Sequence, residues 1–204
     1  MSTRFFTQQR IVFRSWPMRI LVILADTLLL VVLIAVGAHE PHRAAPVATH
    51  LALAGYLAWW LLAYPRLVVE EHRITVVNPL KTHEIRFAHL VDVSTRFGLH
   101  LVTATRRIHV VGAPSGGVAS VKRALPDHVR HHAVLRGSGA HEGISLGDLK
   151  TTVSGQAAHV IVGHWTEQVE TGQTREASTP PTSRWNVLPM SIAVVLFASM
   201  IALW

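Results

Sequence analysis

The sequence predicts a membrane-anchored α+β protein. An N-terminal hairpin of two transmembrane helices leads into a small antiparallel bent sheet or partly closed β-barrel with a C-terminal helix, and a third transmembrane helix closes the chain. Three observations carry this expectation. Apolar runs of membrane length occupy residues 20–64 and 187–204. Only 15% of the 204 residues are charged while 50% are hydrophobic, against roughly 25% charged in soluble domains. Between the apolar runs the pattern switches to short alternating segments, as in "RITVVNPLKTHEIRFAHLVDVSTRF", Arg73 to Phe97.

The first span, Ile20 to Ala38, is long enough at ~1.5 Å per residue to cross a ~30 Å hydrocarbon core. Asp26 lies within it. About a dozen Leu, Ile and Val residues contribute roughly −0.3 to −0.6 kcal/mol each against at most about +3.5 for a central Asp, so insertion wins. An intramembrane carboxylate is a functional candidate by default; a near-interface Asp beside Arg19 is the structural alternative. A cleaved leader is the competing reading of this span, with "AVGA" before His39 as the small-residue site. The run exceeds the usual ~7–15 apolar residues of a leader, and a second span follows almost at once.

That second span, Val47 to Tyr64, carries Trp59, Trp60 and Tyr64 towards its end, where amphipathic rings prefer the headgroup layer. His50 is a second intramembrane polar candidate. Ala48/Ala52 and Ala54/Ala58 are spaced for close helix packing. The third span, Val187 to Trp204, has Trp185 and Trp204 at its ends and Pro189 in its first turn, where proline is tolerated.

Charge sets the orientation. Arg4, Arg10, Arg14 and Arg19 make residues 1–19 basic, with no acidic residue among them, whereas the loop from His39 to Pro46 carries Arg43 beside Glu40. The positive-inside rule then places the N-terminus and the middle region, residues 65–170, in the cytoplasm of a multi-pass inner-membrane protein. The formal charge of +7 reflects these flanking cations and forms no basic stripe interleaved with aromatics, so nucleic acid is not an expected partner. Cysteine is absent, which excludes disulfides, thiolate zinc sites and cysteine nucleophiles.

In the middle region, Glu70 to Arg73 reads as a polar turn, Ile74 to Val77 as a strand, and Asn78-Pro79 as the next turn. Ile85 and Phe87, Val91 and Val93, and Leu99 and Leu101 alternate with polar neighbours; Arg106-Arg107 separates the last pair from Ile108 to Val111. This spacing predicts roughly six short strands in a meander with one buried face. Helical patterns follow over Gly117 to Leu135 and Ser145 to Val169. The second places Leu149, Val153, Ala157, Val160/Ile161, His164/Trp165 and Val169 on one stripe and has Ser145 with Asp148 as its cap. Residues 171–186 read as a tether.

"ITVVNPLKTHEIRFAHLVDV" followed by "GLHLVTATRRIHVVGAP", after a membrane hairpin, resembles the small pleckstrin-homology-like domains of actinobacterial membrane proteins. The shared pattern is the turn at Asn78, Pro79, Leu80 and Lys81, an aromatic at Phe87 where the family usually has Trp, and the strand start at Val91, Asp92 and Val93. It covers about Leu67 to Ala113. The resemblance implies a small β-barrel or strongly bent sheet capped by a helix, without implying phosphoinositide binding. The third membrane span lies outside the pattern.

Several motifs look chemical. "GISLG", Gly143 to Gly147, has the letters of a nucleophile elbow, but that motif needs a strand-to-helix turn in a large α/β sheet, so Ser145 is expected to cap a helix. His128, His131 and His132 have helical spacing but no fourth ligand pattern, and "APSGG" lacks the lysine of a phosphate loop. The sequence therefore predicts no enzyme, no cofactor and no metal. Arg106, Arg107, Lys122, Arg123 and Arg130 form a candidate surface for anionic headgroups, and Asp26 with His50 a candidate intramembrane polar site. The expected function is binding or scaffolding at the inner membrane surface, with lipid bilayer, anionic lipid or another membrane protein as partner. The alternative is an accessory subunit of a transport or envelope-synthesis complex that uses Asp26 and His50.

Overall fold

The computed structural model describes residues 10–95, 98–114, 152–172 and 180–203. A short strand, β1 (Ile11–Phe13), comes first. Helix α1 (Trp16–His39) follows, with a proline in its first turn, where the missing N–H has no intrahelical acceptor anyway. Only Glu40 separates α1 from α2 (Pro41–Ala58). The expected loop over residues 39–46 is thus a tight corner: Pro41 is preset for a helix start, and Arg43 reaches back to Glu40 at 2.9 Å. The second helix runs on through a π-helical turn, Trp59–Ala63.

Six strands then follow between residues 66 and 109: β2 (Arg66–Val69), β3 (Arg73–Val77), β4 (Lys81–Arg86), β5 (Leu90–Ser94), β6 (His100–Thr103) and β7 (Arg107–His109). After them come α3 (Val153–Glu170), β8 (Thr182–Trp185) and α4 (Val187–Ala202). No barrel closes. The described strands form two antiparallel sheets, one ordered β1-β2-β3-β4-β8 and the other β5-β6-β7.

Both sheets share one core. Leu67, Val69, Ile74, Val76 and Ile85 from the first sheet meet Leu90, Leu101 and Ile108 from the second, and Ala157 and Ile161 of α3 join them. Phe87 is fully buried and opens the 3-10 turn Phe87–His89 between the sheets. Helix α3 is started by Thr152, whose hydroxyl accepts from Gly155 N at 3.0 Å, satisfying one of the free first-turn donors. Its other end is held by Gln168, which donates to the Glu71 carbonyl.

Several expectations change here. β1 lies before the first membrane-length helix, and β8 lies where a tether is expected. Val91 is 56% exposed although alternation places it inside. A bulge between Leu90 and Asp92 shifts the register, and one extra residue turns the side-chain pattern over. The buried stripe of α3 contains Ser154, Ala157, Ile161, His164 and Gln168, whereas Val169 is exposed. Ser145, Asp148, "GISLG", His128, His131, His132 and the helical pattern over residues 117–135 lie outside the described residues.

Candidate functional site at the junction of sheet and helices

The strand registers bring the passages to α1, from the second helix and to α4 to one end of the first sheet. Phe13 pairs with Leu67, Arg66 with Val77, Thr82 with Val77, and Lys81 with Trp185. The exits towards Trp16 and Val187, the arrival from Ala63, and the Asn78–Lys81 turn therefore share an edge.

At that edge the Asn78 side chain joins the two sheets. Its Nδ2 donates to His109 O at 2.7 Å, and its Oδ1 accepts from Val111 N at 3.1 Å. The amide thus completes the ladder just past the end of β7. Its own backbone closes the turn, with Asn78 N donating to Lys81 O at 3.0 Å.

Asn186, the residue before α4, fastens that helix to the same turn. Its Nδ2 donates to Asn78 O at 2.7 Å and to Pro79 O at 3.2 Å; its Oδ1 accepts from Thr82 Oγ1 at 2.8 Å; its backbone N donates to Leu80 O at 2.9 Å. Trp60, buried in the π-turn of α2, donates from Nε1 to Pro79 O at 3.0 Å. Farther along the helices, Tyr56 donates to Pro189 O at 2.9 Å. Lys81 Nζ lies 4.0 Å from the centroid of the Trp185 ring, a cation–π contact that fixes the outer edge. The sequence flags Asn78 through the turn, but not Asn186. The available signal there is an Asn immediately before an apolar helix, the residue type that favours helix starts.

Asp26 stands on α1 against α2. Its Oδ1 is buried without a hydrogen-bond partner among the described residues, beside a cleft of about 310 Å³ that Leu29, Leu33, Ala48, Ala52, Gly55 and Tyr56 also line. Small residues on α2 leave that space open. His50 does not line this cleft; its Nδ1 lies 2.7 Å from Pro46 O, one turn earlier on its own helix. The two intramembrane candidates are therefore not brought together at the cleft. A second cleft of about 490 Å³ lies along α4 beside Trp185, Val187, Met190 and Val194.

Arg106 and Arg107 are exposed at the turn between β6 and β7, at the opposite end of β7 from the Asn78 contact. Thr103 shapes that turn: its hydroxyl donates to Arg106 O at 3.0 Å and accepts from Arg106 N at 3.2 Å. Lys122, Arg123 and Arg130 lie outside the described residues.

Among the described residues, three imidazoles hold their protons less tightly than usual. Burial is the first cause for each. Nearby Arg106 and Lys81 add to it for His83, and His100 for His109; at His164, Glu167 and Glu71 partly oppose it. His109 and His100 are cross-strand partners with Nδ1 of the former 3.2 Å from Nε2 of the latter. Since His100 Nδ1 lies 3.0 Å from Gly98 O and must donate to it, its Nε2 is left to accept from His109. Gly98 has φ +99°, and a β-carbon there would strike His109 at 2.9 Å, so the close ring pair requires glycine on both counts.

Among the described residues no group of three or more metal-ligating side chains converges. No family model matches the chain, and neither curated proteins nor solved structures give a match.

Proposed function

We propose that this chain is a three-span inner-membrane protein that holds a pleckstrin-homology-like domain against the cytoplasmic surface for binding or scaffolding. The observation that carries the reading is the weave of sheet and helices. Strand β1 precedes α1, β2 follows α2 and β8 precedes α4, so the domain cannot swing away from the helices without breaking its own sheet. Helices α1 and α2 are long and apolar enough to cross a membrane. Leu21, Ile23, Leu24, Leu28 and Ile34 of α1 are all more than half exposed, a continuous apolar surface of the kind that lipid covers. Helix α4, with 16 residues, is shorter, about 24 Å at ~1.5 Å per residue, and its start is fixed beside the other two at the sheet edge.

A domain held this close to the bilayer meets membrane-bound partners at high effective concentration. Its exposed Arg106 and Arg107 supply cations for anionic headgroups or an acidic partner surface. The reading is of a binding protein, not an enzyme. It is tested by crosslinking and affinity purification from native membranes, with protease digestion of sealed spheroplasts reporting the side on which the domain lies. Recovery of the intact chain in the supernatant after high-speed centrifugation without detergent would end it.

The orphaned oxygen of Asp26 favours a second reading, an accessory subunit of a transport or envelope-synthesis complex. Loss of function in Asp26→Asn, with Arg106→Glu/Arg107→Glu unaffected, would select this reading over the scaffold.

A further inference from the structure

We propose that Arg14, Arg19 and Arg66 form a seat for the phosphate of an anionic phospholipid in the leaflet at the junction. The inference rests on the membrane reading above and names the lipid chemistry it would recognise. Phe13 pairs with Leu67 at the last rung of the β1–β2 ladder, and Arg14 and Arg66 are the residues next to that rung on either chain segment. Like charges directly opposite each other across strands are destabilising. Here the two cations stand beside the last rung, where the chain passes between β1 and α1 and between the second helix and β2.

Arg19 lies one turn into α1, its backbone N bonded to Ser15 O at 3.2 Å and its guanidinium 5.6 Å from the Trp16 ring centroid. Arg66 lies 5.5 Å from the centroid of Tyr64, which itself packs on Trp59 at 5.5 Å. The position of Arg66 is set by backbone contact: a β-carbon on Gly112 would come within 2.6 Å of its Cα. Arg14 lies in the field of the other two: it holds its proton less tightly than usual, first through desolvation and then through Arg66, Arg19 and Arg10.

No carboxylate answers this charge among the described residues. Glu70 takes Arg10 and Arg73, Glu84 takes Arg184, and Glu40 takes Arg43. What fits is a compact anion able to accept from several guanidinium forks, with acyl chains that lie along α1 and α2. Trp16 at the start of α1, and Trp59 and Tyr64 at the end of the second helix, supply aromatic rings of the kind that favour the headgroup layer.

The test uses the full chain in nanodiscs of phosphatidylcholine, alone or mixed with phosphatidylglycerol. Retained phosphatidylglycerol is counted by native mass spectrometry after extraction, and thermal melting is followed in both discs. Arg14→Gln and Arg66→Gln are each expected to lower retention about fivefold, the effect of roughly one surface charge. Arg43→Gln, at the other end of the helical hairpin, and Arg73→Gln, at the far end of β3, are expected to leave it unchanged.

Melting carries the sharper signature. Arg14→Gln should melt higher than the parent in phosphatidylcholine, where repulsion is relieved, and lower in mixed discs, where a ligand contact is lost. Arg19→Gln, on a helix surface, gives the retention reading should a strand variant fail to fold. Unchanged retention in these variants, or a melting shift that ignores the lipid, overturns the proposal. So does displacement of the lipid by soluble glycerol phosphate at equal concentration. Pelleting with membranes is scored separately: loss from the pellet defeats the membrane reading, whereas a pelleted chain with unselective lipid defeats this inference alone.

Discussion

A β-carbon on Gly55 would lie 2.9 Å from Oδ1 of Asp26, so the carboxyl group fills the space that a side chain at position 55 would take. That oxygen has no hydrogen-bond partner among the described residues. A buried polar group without a partner costs about 1–3 kcal/mol. Asp26→Leu should therefore raise the melting temperature of the purified chain in detergent, by about 1–3 kcal/mol in unfolding free energy, while Asp26→Asn changes it less. A lower melting temperature for Asp26→Leu would show that the carboxyl group makes a stabilising contact instead. Should the stabilised variant lose activity in cells, the carboxylate is retained for function at a cost in stability.

Asn78→Ala removes the two hydrogen bonds that join the sheets at His109 and Val111. At about 0.5–1.5 kcal/mol each, the expected loss is about 1–3 kcal/mol. Asn78→Asp should be no better than Ala, because a carboxylate can still accept from Val111 N but then faces the His109 carbonyl without a donor. Thermal unfolding of the two variants checks the order. An Asp variant as stable as the parent would mean that the Val111 bond alone holds the sheets together.

Acid should loosen the domain through three histidines. His83, His109 and His164 all have folded pKa values pushed below the ordinary imidazole value, chiefly by burial. Below about pH 6.5, the unfolded chain takes up these protons before the folded one does. Stability is therefore fully present above the unfolded value and is lost as pH falls through the folded values. His164→Leu, replacing an imidazole packed 5.9 Å from Phe87 between ring centroids, should flatten part of the slope of melting temperature against pH. A slope unchanged by this variant and by His83→Asn would place the acid response elsewhere.

The six central strands are legible in the sequence because alternation there follows burial: Ile74, Val76, Ile85, Leu99, Leu101 and Ile108 all point into the core. Val91 misleads since a bulge is a backbone event with no residue-type signature. β1 and β8 are hidden for another reason. Ile11–Phe13 is too short to show a period, and Thr182–Trp185 is exposed at every position, so neither carries the hydrophobic pattern that marks a half-buried strand. They are strands because a neighbour supplies the ladder. Asp26 and the aromatic end of α2 could be picked out from composition, but the nearness of Arg14 to Arg66 becomes visible only once β1 is laid on β2.

The last helix should stay in place without a covalent link to the rest of the domain. Strand β8 pairs with β4 over four residues, from Lys81↔Trp185 to Glu84↔Thr182. Asn186 adds bonds to Asn78, Pro79, Leu80 and Thr82, and Tyr56 reaches Pro189. Co-expressed as two pieces, residues 1–172 and 180–204, the chain is expected to assemble and co-purify in detergent. Asn186→Ala in the shorter piece removes three side-chain bonds while leaving the strand ladder and the apolar helix surface intact. At about 0.5–1.5 kcal/mol per bond, it should weaken recovery by tenfold or more. If the pieces separate even with Asn186 present, the sheet edge does not hold the helix and the covalent connection does. If Asn186→Ala co-purifies as well as the parent, the apolar contact between α2 and α4 dominates, and the polar cluster at the Asn78 turn sets only the angle at which the helix leaves the sheet.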